Sequence, residues 1–208
     1  MAEDDAAKGQ PDDAVEGRRF SGDDWYALDL SGQRFVECSF LDVDLTETTS
    51  AGATFERCRF AGVRLNASRH EGSGFVQCSF ESTSFFDVEL VGCKLLGSRF
   101  SRCTLRPLRV RGGSWSFVQL RAADLGRLDM QGVQLVEADL SEADLSGAVL
   151  RDCDLSRADL RGARLDGADL RGTSLYGVDP NGPHWGGARL DLTQACTLAE
   201  ALGAVVEL

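Results

Sequence analysis

The chain has 208 residues and a formal net charge of −11, from 33 acidic against 22 basic side chains. It is long enough for one domain with a real core. It is too acidic to grip nucleic acid directly, which needs a basic face, and it has no apolar run near the ~18 residues of a membrane span.

Residues 1–17, "MAEDDAAKGQPDDAVEG", are acidic and lack the apolar centre of a signal peptide, so they read as a disordered acidic tail. Seven cysteines, an odd number without a secretion signal, fit reduced thiols and a cytoplasmic protein.

From residue 18 to 191 one period governs the chain. Of the 35 positions taken every fifth residue from Phe20 to Leu190, 32 hold Leu, Phe, Trp, Val or Met; the exceptions are Ser50, His70 and Pro180. Neither a helix nor an alternating strand keeps a strict five. Two residues before each of these centres the side chain is small, and six of the seven cysteines sit there, including Cys38, Cys58 and Cys78. Two residues after the centre glycine recurs, at 16 of the 23 glycines.

Centre and small residue are two apart, so on extended backbone both point inward. The following pair must turn the chain, and glycine second in a turn supplies the positive φ of a type II turn. One pentapeptide is therefore one face and one corner, and four corners close a square. This explains why "FVECSF", "FERCRF" and "FVQCSF" begin twenty residues apart, at 35, 55 and 75. Phe40, Phe60 and Phe80 should stack ~4.8 Å apart. The fold class is all-β: a quadrilateral parallel β-helix of four pentapeptides per coil, closed by a short C-terminal α-helix.

Within the rod, Pro107 lacks a donor at a corner and predicts a local kink, and "DPNGPHWGG" at 179–187 marks an irregular final coil. His70 reads as a hydrogen-bonded polar break in an apolar column, one coil from Ser50. No Ser-His-Asp set, metal-ligand spacing or phosphate-cradling loop appears, so no catalytic residue, metal or cofactor is expected.

Charge is polarised along the rod. Residues 31–123 balance at +3 and residues 124–191 at −6. A basic belt, Lys94, Arg99, Arg102, Arg106, Arg109, Arg111 and Arg121, contains no acid from 91 to 123. The later repeats carry outward columns of Asp139, Asp159 and Asp179, and of Asp124 and Asp144, joined by Asp154 and Asp169. Like charges ~5 Å apart repel, which suggests an anionic surface kept for a basic partner.

Residues 192–208 follow the last repeat. Asp191 or Thr193 can cap a helix and Gly203 can stop it. Leu192, Ala195, Leu198, Ala199 and Leu202 form one apolar stripe. It can lie on the last coil, meet a second copy, or do both.

The A(D/N)LXX units resemble the pentapeptide-repeat proteins. The segments "LNASRHEGSGF" (65–75), "CTLRPL" (103–108), "VDP" before Trp185 and "GGARLDLTQACTLAEALG" (186–203) resemble the MfpA/Qnr-like fluoroquinolone-resistance family. The uninterrupted rod lies nearer MfpA, because Qnr proteins carry inserted loops. The resemblance implies a right-handed β-helix that dimerises through the C-terminal helix. It also implies a non-enzymatic acidic rod that mimics duplex DNA, binds DNA gyrase or its relative topoisomerase IV, and relieves quinolone-type or natural poisons. A structural or scaffolding repeat protein with another partner is the alternative reading.

Overall fold

The structure is a computed structural model and describes residues 14–207. Every strand pair is parallel, and every partner lies twenty residues away, from Val15↔Phe35 to Asp169↔Arg189. Those 175 residues at twenty per coil make nearly nine coils, a rod of roughly 40 Å.

The four faces follow in chain order. Face one is the ladder Arg19–Ser21, Ser39–Leu41, Arg59–Ala61, Ser79–Glu81 and Arg99–Ser101. Face two is a run of single bridges, Asp24↔Asp44↔Arg64↔Ser84↔Thr104, resuming at Asp124↔Asp144↔Arg164↔His184. Face three stacks Thr49–Ala51, Arg69–Glu71, Val88–Val91, Leu108–Arg111 and Asp129–Gln131, and face four Val15–Glu16, Arg34–Val36, Thr54–Glu56 and Gly74–Val76. The first described strand, Val15–Glu16, already falls inside the segment 1–17 assigned to the acidic tail; residues 1–13 of that tail lie outside the described residues.

The interior is the set of centres. Phe20, Phe40, Phe60, Phe80 and Phe100 stack with centroids 5.0, 4.7, 4.8 and 4.8 Å apart. Phe35, Phe55 and Phe75 stack at 5.0 and 4.8 Å. The two ladders meet edge to face, as in Phe35–Phe40 at 5.6 Å and 75°. Most of these rings thereby have stacked and T-shaped neighbours at once, which suits the ring quadrupole.

The small inward residues do more than fill space. The thiols of Cys38, Cys58 and Cys78 donate to the carbonyls of Val15, Phe35 and Phe55 at 3.2, 3.5 and 3.2 Å, tying each coil to the one before it. Thr83 and Ser98 hydroxyls make the same bond to Phe60 and Phe75. Burial pushes the Cys93 and Cys153 thiols up to about 11, so they stay protonated.

The corners correct one expectation. From residue 17 to 187, 33 of the 35 positions two past a centre have positive φ, and only 16 of these are glycine. Glu37, Arg57, Asp87 and even Phe117 take the left-handed region, with φ of 54°, 53°, 58° and 60°. A left-handed L-residue costs about 1–2 kcal/mol. The offset is the coil itself: most corner N–H groups donate to the adjacent coil, as Ala27 does to Thr46 and Glu37 to Glu56, both at 2.9 Å. Stacking imposes the conformation, and glycine merely relieves it.

Two irregularities stay local. The Arg106–Pro107 peptide is cis, yet Asp87 N–H still reaches the Pro107 carbonyl and Val88 still pairs with Leu108. Near Pro180 the Gly162 N–H bonds to Gly182, one residue late, and register returns by Leu165 to His184.

Helix α1, Leu192–Ala201, closes the C-terminal end. Asp191 is its N-cap in a capping box with Gln194, and Gly203, at φ 88°, ends it. Gln194 is buried, and its amide donates to the carbonyls of Leu170 and Thr173, satisfying acceptors at the open end of the rod. Leu198 packs on the core and Ala199 is half-buried, whereas Leu192, Ala195 and Leu202 face outward.

Replacing Ala122, exposed at φ 54°, by glycine relieves the corner without removing a side-chain contact. After glycine's own entropic cost, Ala122→Gly should stabilise the fold by roughly 0.5–1 kcal/mol, or a few degrees in Tm, in a thermal melt.

Candidate partner-binding surface

The seven aspartates expected to form an acidic surface are distributed over all four faces. Asp139 and Asp159 share face one, and Asp124 and Asp144 share face two, so these four converge on the edge where those faces meet, while Asp179 follows in the irregular final coil without a bridge to Asp159. Asp169 lies on face three and Asp154 on face four.

Their carboxylates have a local task that charge counting does not reveal. In all seven, Oδ1 accepts the backbone N–H two residues on, from Gly126, Ser141, Ser146, Ser156, Arg161, Arg171 and Asn181. Asp24, Asp29 and Asp44 do the same at the other end of the rod. That N–H has no backbone acceptor at these corners, and an Asx-type bond supplies one. The fold therefore does use its aspartate columns, contrary to the expectation that they serve only a partner.

Many are also neutralised. Asp169 is buried and held far below the usual carboxylate range, chiefly by the Arg171 guanidinium and also by Arg151. Asp159 is lowered by Arg161, at 2.5 Å. Asp124 pairs with Arg106 at 2.5 Å and Asp144 with Arg164 at 3.9 Å. Asp139, Asp154 and Asp179 form no ion pair among the described residues.

The basic belt dissolves in the same way. Arg102 pairs with Glu81, Arg106 with Asp124, Arg109 with Asp87, Arg111 with Asp129, and Arg121 with Glu142. A run of bases in sequence becomes a ring of one coil, flanked by acids eighteen to twenty-two residues away. Only Lys94 and Arg99 of the seven lack an ion pair among the described residues. Residues 14–207 hold 28 acids and 21 bases, a balance of −7. Duplex DNA of the same ~40 Å carries about 24 charges, so the rod is far less charged per unit length.

His70 is 2 % exposed. Its Nδ1 meets Ser50 Oγ at 2.7 Å and its Nε2 meets Ser68 Oγ at 3.1 Å, and Ser50 Oγ meets Ser73 Oγ at 2.8 Å. The network is closed inside the rod. Among the described residues no cluster of His, Cys, Asp or Glu could hold a metal ion, and no helix is long and apolar enough to cross a membrane.

Burial lowers the His70 pKa from 6.5 to about 4. The unfolded chain therefore takes up a proton near pH 6.5 while the folded chain does not until about 4. The stabilisation is complete above pH 6.5 and is lost as pH falls through this window, by about 3 kcal/mol at the acid end. Urea titrations should show this fall in the wild type and a flat profile between pH 6.5 and 4.5 in His70→Asn.

A family model described as pentapeptide repeats matches residues 116–152 and 153–179, in eight copies. The pentapeptide repeat protein MfpA of Mycobacterium tuberculosis (strain ATCC 25618 / H37Rv) is 40% identical over 116 residues. That match takes in 56% of this chain and 52% of MfpA, about half the length of the relative. Two trypsin-treated variants of QnrB1, described as a plasmid-mediated fluoroquinolone resistance protein, share the fold. One superposes with a TM-score of 0.72 at 20% identity, covering 94% of this chain and 100% of that one. The other gives 0.71 at 24%, covering 93% and 97%.

Proposed function

We propose that this chain, built of pentapeptide repeats along its rod, is a non-enzymatic protein of the cytoplasm that binds DNA gyrase. It would protect the enzyme from quinolone-type or natural poisons, acting as a partial mimic of duplex DNA. The observation that carries this reading is the 40% identity to MfpA over 116 residues. The fluoroquinolone-resistance role of QnrB1, which has the same fold, supports it.

The edge between faces one and two is the contact surface this reading favours. Asp124, Asp139, Asp144 and Asp159 stand there, with Asp179 in the irregular coil that follows; each Oδ1 holds a corner, and of these five only Asp139 and Asp179 make no ion pair among the described residues. Asp154 and Asp169 sit on the other two faces, and Asp169 is buried, so neither belongs to this contact. The attraction is electrostatic and acts over about a Debye length, hence it should weaken with salt. Two copies meeting through α1 would bring two such edges together, with Leu192 and Leu202, 70% and 61% exposed, at the contact.

In a supercoiling assay with a fluoroquinolone, the protein should restore gyrase activity in a dose-dependent way. Asp139→Asn, Asp159→Asn and Asp179→Asn together keep a side-chain oxygen for the corner bond while removing charge. They should reduce protection about tenfold without lowering Tm by more than a few degrees. Unchanged protection would remove the edge from the contact, and no gyrase binding even at low salt would overturn the reading.

Sedimentation should give a dimer for the wild type and a folded monomer for Leu192→Glu combined with Leu202→Glu. A monomeric wild type would refute the α1 interface.

A further inference from the structure

The acids are missing from one part of the rod. On face four, and over the corner that leads to face one, three successive coils present Gly74, Val76, Gln77 and Ser79; Lys94, Leu96, Gly97 and Arg99; and Ser114, Ser116, Phe117 and Gln119. No carboxylate stands at these positions in the three coils, in a chain with 33 acids; the next coil, with Gln134 and Val136, ends the strip at Glu137 and Asp139.

Three observations distinguish this strip. Lys94 and Arg99 are exposed and form no ion pair among the described residues, whereas 15 of the 21 Lys and Arg side chains there do. Their vertical neighbours, Gly74 and Ser114 for Lys94 and Gln119 for Arg99, cannot neutralise them. Leu96 and Phe117 are 39% and 49% exposed, with Val76 and Val136 half-buried above and below. Phe117 holds φ 60° and is the only aromatic among the left-handed corners. A bulky side chain there is conformationally costly, and this one contributes little to the core.

We propose that this strip is a second docking surface, for a protein segment that is acidic and carries aromatic or aliphatic side chains. Charge complementarity selects that occupant. The two unpaired cations flank Leu96 and lie one coil from Phe117, so carboxylates in the segment would meet Lys94 and Arg99 while its apolar groups cover Leu96 and Phe117. Two cations are too few for a nucleic-acid backbone, whose binding grows with each phosphate neutralised. The proposal does not depend on the reading of the acidic edge, although Arg99 stands in the same face-one column as Asp139 and Asp159.

The test uses the full chain and a fluorescein-labelled synthetic peptide of alternating Glu, Phe, Asp and Leu, with a Lys/Arg version of the same pattern as control. Anisotropy should show saturable binding of the acidic peptide only. Lys94→Glu with Arg99→Glu should weaken it about tenfold, and Phe117→Gly about threefold, with circular dichroism and Tm preserved. Phe117→Gly removes the side chain at a position where glycine is conformationally favoured, so loss of fold should not obscure the result.

Equal binding of the basic peptide, or no effect of either variant, would overturn the proposal. So would tighter binding of a single-stranded DNA oligonucleotide lost in Lys94→Glu, Arg99→Glu. Acidic-peptide binding that appears only after removal of residues 1–13 would assign the strip to the chain's own acidic segment and overturn the external partner.

Discussion

Stacking of each coil on the next at one strand spacing is the constraint from which the rest follows. A ring in this rod has an identical ring above it at 4.7–5.0 Å, and a corner has a corner above it. Whatever one coil adopts, its neighbours must adopt too, because backbone N–H and C=O groups pair only in that register. The effect is plain at the corners, where seventeen residues other than glycine accept a left-handed conformation. The repeat is quasi-one-dimensional: energy is a sum over neighbouring coils, and the ends need special solutions. Gln194 is one such solution, a buried amide set against carbonyls that have no further coil to receive them.

The same geometry rewrites the electrostatics. Neighbours on the surface are residues some twenty apart, so the meaning of a charge depends on what stands one coil away. Bases at 102–121 find acids at 81–87 and 124–142, and a belt becomes a set of cross-coil pairs. Such exposed pairs contribute little stability each, but they remove charge from the reach of a partner. What remains available is the part of the edge of faces one and two that holds Asp139, which makes no ion pair among the described residues, and the strip around Lys94, Arg99 and Phe117.

These two surfaces differ in chemistry and centre on different corners of the square cross-section, although Arg99 shares the column of Asp139 and Asp159. One presents carboxylates in vertical series, the other two bare cations around exposed apolar groups. A β-helix is well suited to such division, because each face is a separate column of side chains that can vary without disturbing the core. The rod fixes position, and the outward residues decide what is recognised.

The amino-acid order by itself determined the period, the square section, the stacked Phe40, Phe60 and Phe80, the buried thiols, the polar break at His70 and the capped terminal helix. Each is a local pattern repeated at a fixed spacing, and inward positions are dictated by burial alone. Tertiary structure decided the rest. The strand at Val15 depends on pairing with Phe35, since two residues have no periodicity of their own. The dispersal of the seven aspartates over four faces, the burial of Asp169 between Arg151 and Arg171, and the exposure of Lys94 and Arg99 depend on which coil lies above and below. Outward side chains interact across coils rather than along the chain, and a linear reading weighs neighbours in sequence. The surface was therefore settled by stacking, as the core was by period.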